Sequence, residues 1–258
     1  MDQQQQKTMD CVVRVLRECQ SILFVTGAGI SADSGVPTYR GIGGLYEIDV
    51  TDEGLPIEEI LSGSMLQSNP ELTWKYLAQI ADAARGASYN RAHEVIAEME
   101  RHFPRVWTLT QNVDGFHRLA GSRNVIEIHG NMRSLYCMTC GFRETVDENT
   151  KGEVPPHCPN CHAIMRPDVV LFGELLPEEE LSRMRRELAT GFSAVFSIGT
   201  SAVFPYIQEP FIAARRMGVP TIEINPSETQ LSHHADYRLV SGAATALNEI
   251  WSRVQNNG

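Results

Sequence analysis

The stretch Ser21–Arg40 reads SILFVTGAGISADSGVPTYR. It opens with an apolar run, Ile22–Val25, that is typical of a buried parallel strand. The run leads directly into Gly27-Ala28-Gly29. Glycines there let the chain turn sharply and bring backbone N–H groups close to the phosphates of a ligand, beside the positive end of a following helix. We therefore predict that ligand binding is organised around this turn.

Gly27, Gly29 and Ala32 match the G-x-G-x-x-G/A spacing of dinucleotide-binding turns, although simple tight turns share it. The acidic residue that usually follows a second strand is missing, since Asp49 and Glu53 fall in a loop-like region. The residues after Ile30 are too rich in Gly, Pro and Ser for a long helix. We expect a loop to cover the ligand there.

Composition excludes several classes of protein. The chain has 258 residues, is 42% hydrophobic and carries a formal net charge of −10, so it has room for one large or two unequal domains. A general nucleic-acid binder would need a basic face, whereas this charge leaves room for a cationic protein partner. No apolar run approaches about 18 residues, and the start has no hydrophobic signal core. We predict a cytoplasmic protein with no membrane contact.

The cysteines fall into two groups. Cys11 and Cys19 lie in an amphipathic helical segment and are expected to be inert. The other four form two C-x2-C pairs at a spacing typical of structural zinc, and a reducing cytoplasm disfavours disulfides. Four thiolates complete a zinc shell, which leaves His157 and His162 as bystanders. The predicted ligands are Cys137, Cys140, Cys158 and Cys161.

Strands alternate with helices along most of the chain. This alternation predicts an α/β fold, with a Rossmann-like parallel sheet covered by helices on both faces. We assign 1–40, 91–130 and 168–258 to the Rossmann-like domain, 41–90 to a cofactor loop and helical insertion, and 131–167 to a zinc-binding module. Within the last Rossmann-like segment we predict a strand at Val169–Phe172 and a helix at Gln208–Met217.

Polar residues follow four of the predicted strands, where open α/β sheets bind ligands. The clusters are Thr110–Gly115, His129–Asn131, Gly199–Ser201 and Asn225–Ser227. Turn chemistry could explain one of them, but four beside a glycine turn favour a nucleotide crevice.

Among the eight histidines, His129 stands where a strand meets the zinc-binding module. An imidazole that is neutral near pH 7 can act as a general base, and a histidine that only stabilises the strand-end turn is the alternative. The other histidines outside the zinc-binding module, His93, His102, His117, His233 and His234, are expected at the surface or behind the site.

Several motifs occur together in one order along nearly the whole chain. They are GAGISADSGVPTYR, TQNVDGFHRLAG, IHG, the two CxxC pairs, VVLFGELLP, SIGTS and EIN. This combination resembles the sirtuin (Sir2-like) family of NAD-dependent protein lysine deacylases, of bacterial type.

The resemblance implies a role for each matching residue. His129 would be the general base, and Asn112 would stand with it as a catalytic residue. The NAD-binding residues would be Gly27, Ala28, Gly29, Asp33, Tyr39, Arg40, Gln111, Asn112, Asp114, Gly199, Thr200, Ser201, Asn225 and Ala243. The segment holding Val169, Val170, Phe172, Gly173 and Glu174 would clamp the substrate peptide by strand pairing.

The implied reaction consumes NAD as a co-substrate. The acyl-lysine oxygen attacks the ribose carbon that bears nicotinamide, nicotinamide leaves, and His129 helps a ribose hydroxyl to attack the acyl carbon. The products would be lysine, nicotinamide and O-acyl-ADP-ribose, and the partners acylated-lysine proteins or peptides, with a monomer favoured. The alternatives are mono-ADP-ribosyl transfer, NAD hydrolysis and an NAD-sensing binding module.

Two features concern specificity. The segment from Gly199 to Pro205 is a residue shorter than is usual in the family, and Tyr39 replaces a more common phenylalanine. Relatives that remove succinyl groups carry a Tyr and an Arg three residues apart on a helix. Here Trp74 is followed at that spacing by Leu77, and Tyr76 by Gln79, while Lys75 lies on another face. We expect neutral acyl groups such as acetyl to be preferred.

Overall fold

The computed structural model describes residues 2–36, 51–146 and 153–256. The strands in these ranges are β1 (Ser21–Thr26), β2 (Arg105–Thr110), β3 (Val125–Glu127), β4 (Gly130–Cys137), β5 (Arg143–Thr145), β6 (Met165–Val169), β7 (Ala194–Ile198), β8 (Thr221–Ile224) and β9 (Tyr237–Leu239).

The α-helices in the same ranges are α1 (Gln3–Glu18), α2 (Ile57–Ile60), α3 (Gly63–Ser68), α4 (Pro70–Ala83), α5 (Arg91–His102), α6 (Phe116–Leu119), α7 (Glu178–Thr190), α8 (Pro205–Arg216) and α9 (Ala243–Gln255). Among these described helices, none is both long and apolar enough to cross a membrane.

The large sheet is parallel throughout and has the order β3-β2-β1-β7-β8-β9. The chain builds outward from β1 on one side and then returns to build on the other. This reversal leaves a crevice at the carboxyl ends of β1, β2 and β7, which is where open α/β sheets bind ligands.

Both faces of the large sheet are covered. Ile22 and Phe24 pack in one core with residues of α1, α5 and α9, while Leu23 and Val25 pack in a second core with residues of α7 and α8. A strand buried on both sides needs the continuous apolar run that the sequence has at this point. The predicted fold class, a Rossmann-like parallel sheet between helices, is confirmed.

A small antiparallel sheet, in the order β5-β4-β6, carries the cysteines. The predicted strand at Val169–Phe172 is wrong, because the strand ends at Val169 and belongs to this small sheet. Its residues 165–169 pair with β4, and the chain then leaves as an irregular segment. Apolar residues alone could not distinguish a central strand from a strand that belongs to a second sheet.

Helices α2–α4 and the small sheet share one apolar core. The indole nitrogen of Trp74 donates to the carbonyl of Met165 at 2.9 Å, and this bond joins α4 to β6. The helical insertion and the cysteine-bearing module therefore stabilise each other. The domain boundaries given above stay a prediction.

One further local prediction is wrong, and one can be made more specific. Helix α8 begins at Pro205 rather than Gln208, because proline suits the first turn of a helix. His93 and His117, which were expected at the surface or behind the site, are buried, with exposed fractions of 0% and 2%. Their rings lie 4.9 Å apart behind the crevice, where His117 contacts Thr26 at the end of β1.

Candidate active site

The residues that follow β2, β7 and β8 are joined by hydrogen bonds at the crevice. The Gln111 side-chain amide donates to Thr200 Oγ1 at 2.7 Å, and Asn225 Nδ2 donates to the Thr200 carbonyl at 3.2 Å. Ser201 follows on the same loop and is exposed. The structure thus brings together the polar clusters that the sequence placed at separate strand ends.

The glycine turn after β1 forms two short 3-10 helices, Ala28–Ile30 and Ala32–Ser34. The N–H of Gly27 donates to the Ile198 carbonyl, and the N–H of Gly29 donates to the Gly199 carbonyl at 2.7 Å. The sequence suggested that N–H groups of this turn would contact a phosphate. These two N–H groups are not free to do so, because both already donate to carbonyls of the protein. Both glycines are needed instead because the turn packs directly on the loop after β7.

The contact between those two loops leaves no room for side chains. A Cβ on Gly29 would lie 2.7 Å from Gly199 Cα, and one on Gly27 would lie 2.6 Å from Thr200 Cβ. Gly199 itself has a φ of +58°, which disfavours any other residue. The turn and the loop after β7 consequently form one rigid floor of the crevice.

Ser31 links two predicted site residues, although the sequence reasoning did not single it out. Its hydroxyl donates to Asp114 Oδ2 at 2.7 Å and accepts from Asn112 Nδ2 at 3.1 Å. Burial raises the pKa of Asp114, while bonds from the Phe116 N–H and from Ser31 act in the opposite direction. The only signal in the sequence was a small polar residue next to a glycine turn.

Asp33 contacts the first turn of α9, next to Ala243. Asp33 Oδ2 accepts from the N–H of Ala244 at 3.1 Å, in the first turn of α9. A carboxylate there stabilises the positive end of the helix. Asp33 therefore connects the glycine turn to the last helix, and this contact fixes both residues beside the crevice.

His129 projects into the same crevice from the residues after β3. Its Nδ1 lies 3.0 Å from the backbone carbonyl of Gln111, and its Nε2 lies 2.7 Å from the Tyr206 hydroxyl. Burial lowers the pKa of His129, and the bond to the Gln111 carbonyl offsets part of this effect. The imidazole is neutral near pH 7, as a general base must be.

The segment after β6 lies against His129, because the Val170 N–H donates to the His129 carbonyl at 2.9 Å. Phe172 pairs with the chain near Leu61 and Gly63 through both its N–H and its carbonyl. Strand pairing of a peptide with the whole predicted clamp would compete with these bonds. Gly173 and Leu175 are exposed, and the exposed fraction of Leu175 is 93%. This part of the segment therefore faces solvent.

Glu174 has an internal role in that segment. Its carboxylate forms two hydrogen bonds with the buried Arg166, at 2.6 and 2.8 Å, and accepts from the Leu171 N–H. Despite partial burial, the Arg166 guanidinium lowers the pKa of Glu174. The predicted substrate-binding residue thus holds the turn in shape through an ion pair that the sequence did not indicate.

The four predicted zinc ligands come together at the edge of the small sheet. Their sulfur atoms all lie within 4.8 Å of one another, and two pairs, Cys137–Cys161 and Cys140–Cys158, are 3.5 Å apart. Zn–S bonds of about 2.3 Å in a tetrahedron place sulfurs roughly 3.8 Å apart. The donor set and its spacing therefore fit one structural metal ion.

The matching family model is that of the Sir2 family, over residues 27–205. A relative from Pseudomonas aeruginosa, "NAD-dependent protein deacylase 2", is 49% identical over 94% of this chain and 96% of the relative. The chain belongs to the Sir2 family. The resemblance inferred from its motifs is confirmed.

Solved Sir2 structures have the same fold as this chain. A Sir2 homologue in complex with NAD is 35% identical, covers 96% of this chain and 94% of the other, and superposes with a TM-score of 0.84. A Sir2 complex with deacetylated p53 peptide and 3'-O-acetyl ADP-ribose is 27% identical and covers 95% and 98%, also at 0.84.

The loop Gly199–Phe204 contains a residue other than glycine in the left-handed region of backbone conformation. Ala202 is fully buried with a φ of +52°, and Gln208 Nε2 donates to the Ala202 carbonyl at 2.7 Å. Helix α8 then begins at once and carries Tyr206 to His129. The contact of Tyr206 with His129 was not predicted from the sequence.

Two predicted NAD-binding residues of this Sir2 chain, Tyr39 and Arg40, lie outside the described residues.

On α4, Lys75 Nζ lies 2.5 Å from Glu53 Oε1, and the Tyr76 hydroxyl donates to the other oxygen of Glu53. These bonds, first that from Lys75, lower the pKa of Glu53 to about 2. Lys75 is therefore already paired with a carboxylate.

Proposed function

We propose that this chain is an NAD-dependent protein lysine deacylase that transfers the acyl group of a modified lysine to ADP-ribose. The observation that carries the proposal is the neutral His129 at the switch point of a Sir2 sheet, where Asn112, Gln111 and Thr200 converge. This arrangement supplies a base and a polar crevice, which are the two things that the reaction needs.

Within this proposal, each residue has a defined task. The Gln111 carbonyl accepts from Nδ1–H of His129, so the lone pair of the imidazole is on Nε2 and can receive a ribose proton. Asn112 and Asp114, fixed by Ser31, bind the nicotinamide ribose. Thr200, Ser201 and Asn225 bind the phosphates and the adenosine ribose. One water molecule is consumed, and the products are lysine, nicotinamide and O-acyl-ADP-ribose.

The structural zinc ion takes no part in the proposed reaction. Four cysteine ligands complete a tetrahedral zinc shell and leave no open position for substrate. The residues that would hold it are Cys137, Cys140, Cys158 and Cys161, and their task is to maintain the small sheet beside the crevice. A cytoplasmic location and a monomeric state stay predictions.

The test removes the base. His129→Ala should retain the fold and NAD binding and lose about 10²- to 10⁴-fold in deacylation of an acetyl-lysine peptide, as expected for loss of a general base. The matched control is His233→Ala, which removes an exposed imidazole. Products are followed by mass spectrometry.

Two results would contradict the proposal. Turnover of His129→Ala close to that of the unmodified chain would remove His129 from the mechanism. NAD consumption that does not depend on acylated peptide would favour ADP-ribosyl transfer or NAD hydrolysis instead.

We further propose that acetyl-lysine is preferred over succinyl-lysine. A succinyl group enters an apolar tunnel as an anion and needs a fixed cation. On α4, Leu77 is buried in the apolar core and Lys75 is paired with Glu53. The acyl preference is tested separately from the deacylase activity itself.

That test compares two peptides of identical sequence, one acetylated and one succinylated, at equal concentration. The acetyl peptide should be turned over faster. Lys75→Gln is the control variant and should leave the ratio of the two rates unchanged, because Lys75 does not serve the acyl group. Faster turnover of the succinyl peptide, with loss of that advantage in Lys75→Gln, would assign Lys75 to the acyl carboxylate.

A further inference from the structure

Tyr206 is the one phenol that contacts the base among the described residues. Its hydroxyl lies 2.7 Å from His129 Nε2, and the two ring centroids are 6.0 Å apart at nearly a right angle. This nitrogen is the atom that must be free to accept a proton in the proposed reaction. The tyrosine hydroxyl therefore occupies the position from which a substrate hydroxyl would donate its proton to Nε2.

The direction of the hydrogen bond follows from the other side of the ring. A backbone carbonyl can only accept, so His129 Nδ1 must carry the proton that is shared with Gln111. A neutral imidazole has one N–H, which makes Nε2 the acceptor. Burial raises the pKa of Tyr206 to about 12, so the phenol keeps its proton near neutral pH and donates it to Nε2.

The structure holds Tyr206 in this place. Its ring stacks on Phe204, with centroids 5.5 Å apart and an interplanar angle of 15°. The backbone before it is fixed by the buried Ala202 and by the bond from Gln208, and the next residue, Ile207, is fully buried. The short loop after Ser201 and the early start of α8 thus combine to direct the phenol toward His129.

We propose that Tyr206 is a positioning residue that caps the basic nitrogen of His129. Its hydroxyl donates a hydrogen bond to Nε2 while no substrate is bound. When substrate binds, a substrate hydroxyl replaces the tyrosine hydroxyl as the donor. The reason for the exchange is that an imidazole nitrogen has a single lone pair in the ring plane and accepts one strong hydrogen bond. The exchange, but not the cap itself, rests on the proposed function.

The cap is tested without substrate by NMR of ¹⁵N-histidine-labelled protein. The Nε2 resonance of His129, assigned by its loss in His129→Ala, should have the shift of a hydrogen-bonded acceptor and move downfield in Tyr206→Phe. This substitution keeps the ring that stacks on Phe204. The matched control is Tyr237→Phe, which removes the hydroxyl of another half-buried tyrosine, on β9, and should leave the resonance in place.

The exchange is tested by calorimetric titration with ADP-ribose. Since a hydrogen bond of about 0.5–1.5 kcal/mol no longer has to be broken, Tyr206→Phe should bind about 2- to 10-fold more tightly, and Tyr237→Phe should bind unchanged. Unchanged or weaker binding by Tyr206→Phe would overturn the exchange. An Nε2 resonance that does not move in folded Tyr206→Phe would overturn the cap, whether or not the chain is a deacylase.

Discussion

Gly199→Ala should destabilise the protein more than an ordinary glycine substitution. Gly199 has a φ of +58°, and a Cβ there would lie 2.4 Å from the Ile30 nitrogen and 2.5 Å from the Gly29 carbonyl carbon. The positive φ costs about 1–2 kcal/mol, and the overlap with backbone, which cannot rotate away, costs about 1–3 kcal/mol more. We therefore expect the free energy of unfolding to fall by about 2–5 kcal/mol.

The assay is urea unfolding followed by circular dichroism, with Gly218→Ala as the matched control. Gly218 has a φ of +72°, but a Cβ there would meet nothing within 4 Å, so this variant reports the cost of the positive φ alone. The difference between the two variants isolates the contact between the glycine turn and the loop after β7. Equal losses in both variants would refute the argument that this contact is tight.

Two further predictions concern a buried histidine and the cysteine cluster. Burial lowers the pKa of His93 from 6.5 to about 4. The unfolded chain therefore binds a proton that the folded chain does not. The contribution of neutral His93 to the free energy of unfolding is therefore complete above pH 6.5. It falls by about 3 kcal/mol as the pH drops to 4. In a urea series over this range, His93→Gln should flatten the fall, and an unchanged slope would contradict the assignment. Cys140→Ala should release one zinc ion per chain and disorder the small sheet, with an indirect loss of activity. Metal analysis and peptide assays check this against Cys11→Ala, and full activity after verified metal loss would show that the metal is dispensable.

Local patterns predicted the parts of the molecule that depend on neighbours in sequence. The apolar run before Gly27 predicted β1, and the two C-x2-C pairs predicted the sulfur cluster. His129 was singled out because a predicted strand ends beside it, at the start of the zinc-binding module. Each of these features depends on residues that are close together in sequence, so one sequence is sufficient to predict it.

The remaining features depend on contacts between distant segments. The segment at Val169–Phe172 had the composition of a central strand, yet only Val169 pairs with β4, and Phe172 bonds instead to Leu61 and Gly63, a choice that tertiary packing makes. Arg166 pairs with Glu174 and Ser31 joins Asn112 to Asp114, and neither contact has a sequence period. The length of the loop after Ser201 was readable, but where it would direct Tyr206 required coordinates.

The order of strands in the large sheet has a consequence for biosynthesis. The central strand β1 is made near the start of the chain, whereas its neighbour β7 is made only after the whole small sheet. At about 5–20 residues per second, a ribosome needs on the order of ten to thirty seconds to reach β7 after completing β1. Throughout that interval the backbone N–H and C=O groups along one edge of β1 have no strand partner. An unpaired strand edge is a template for pairing with another chain, and lower growth temperatures, which slow translation, prolong its exposure.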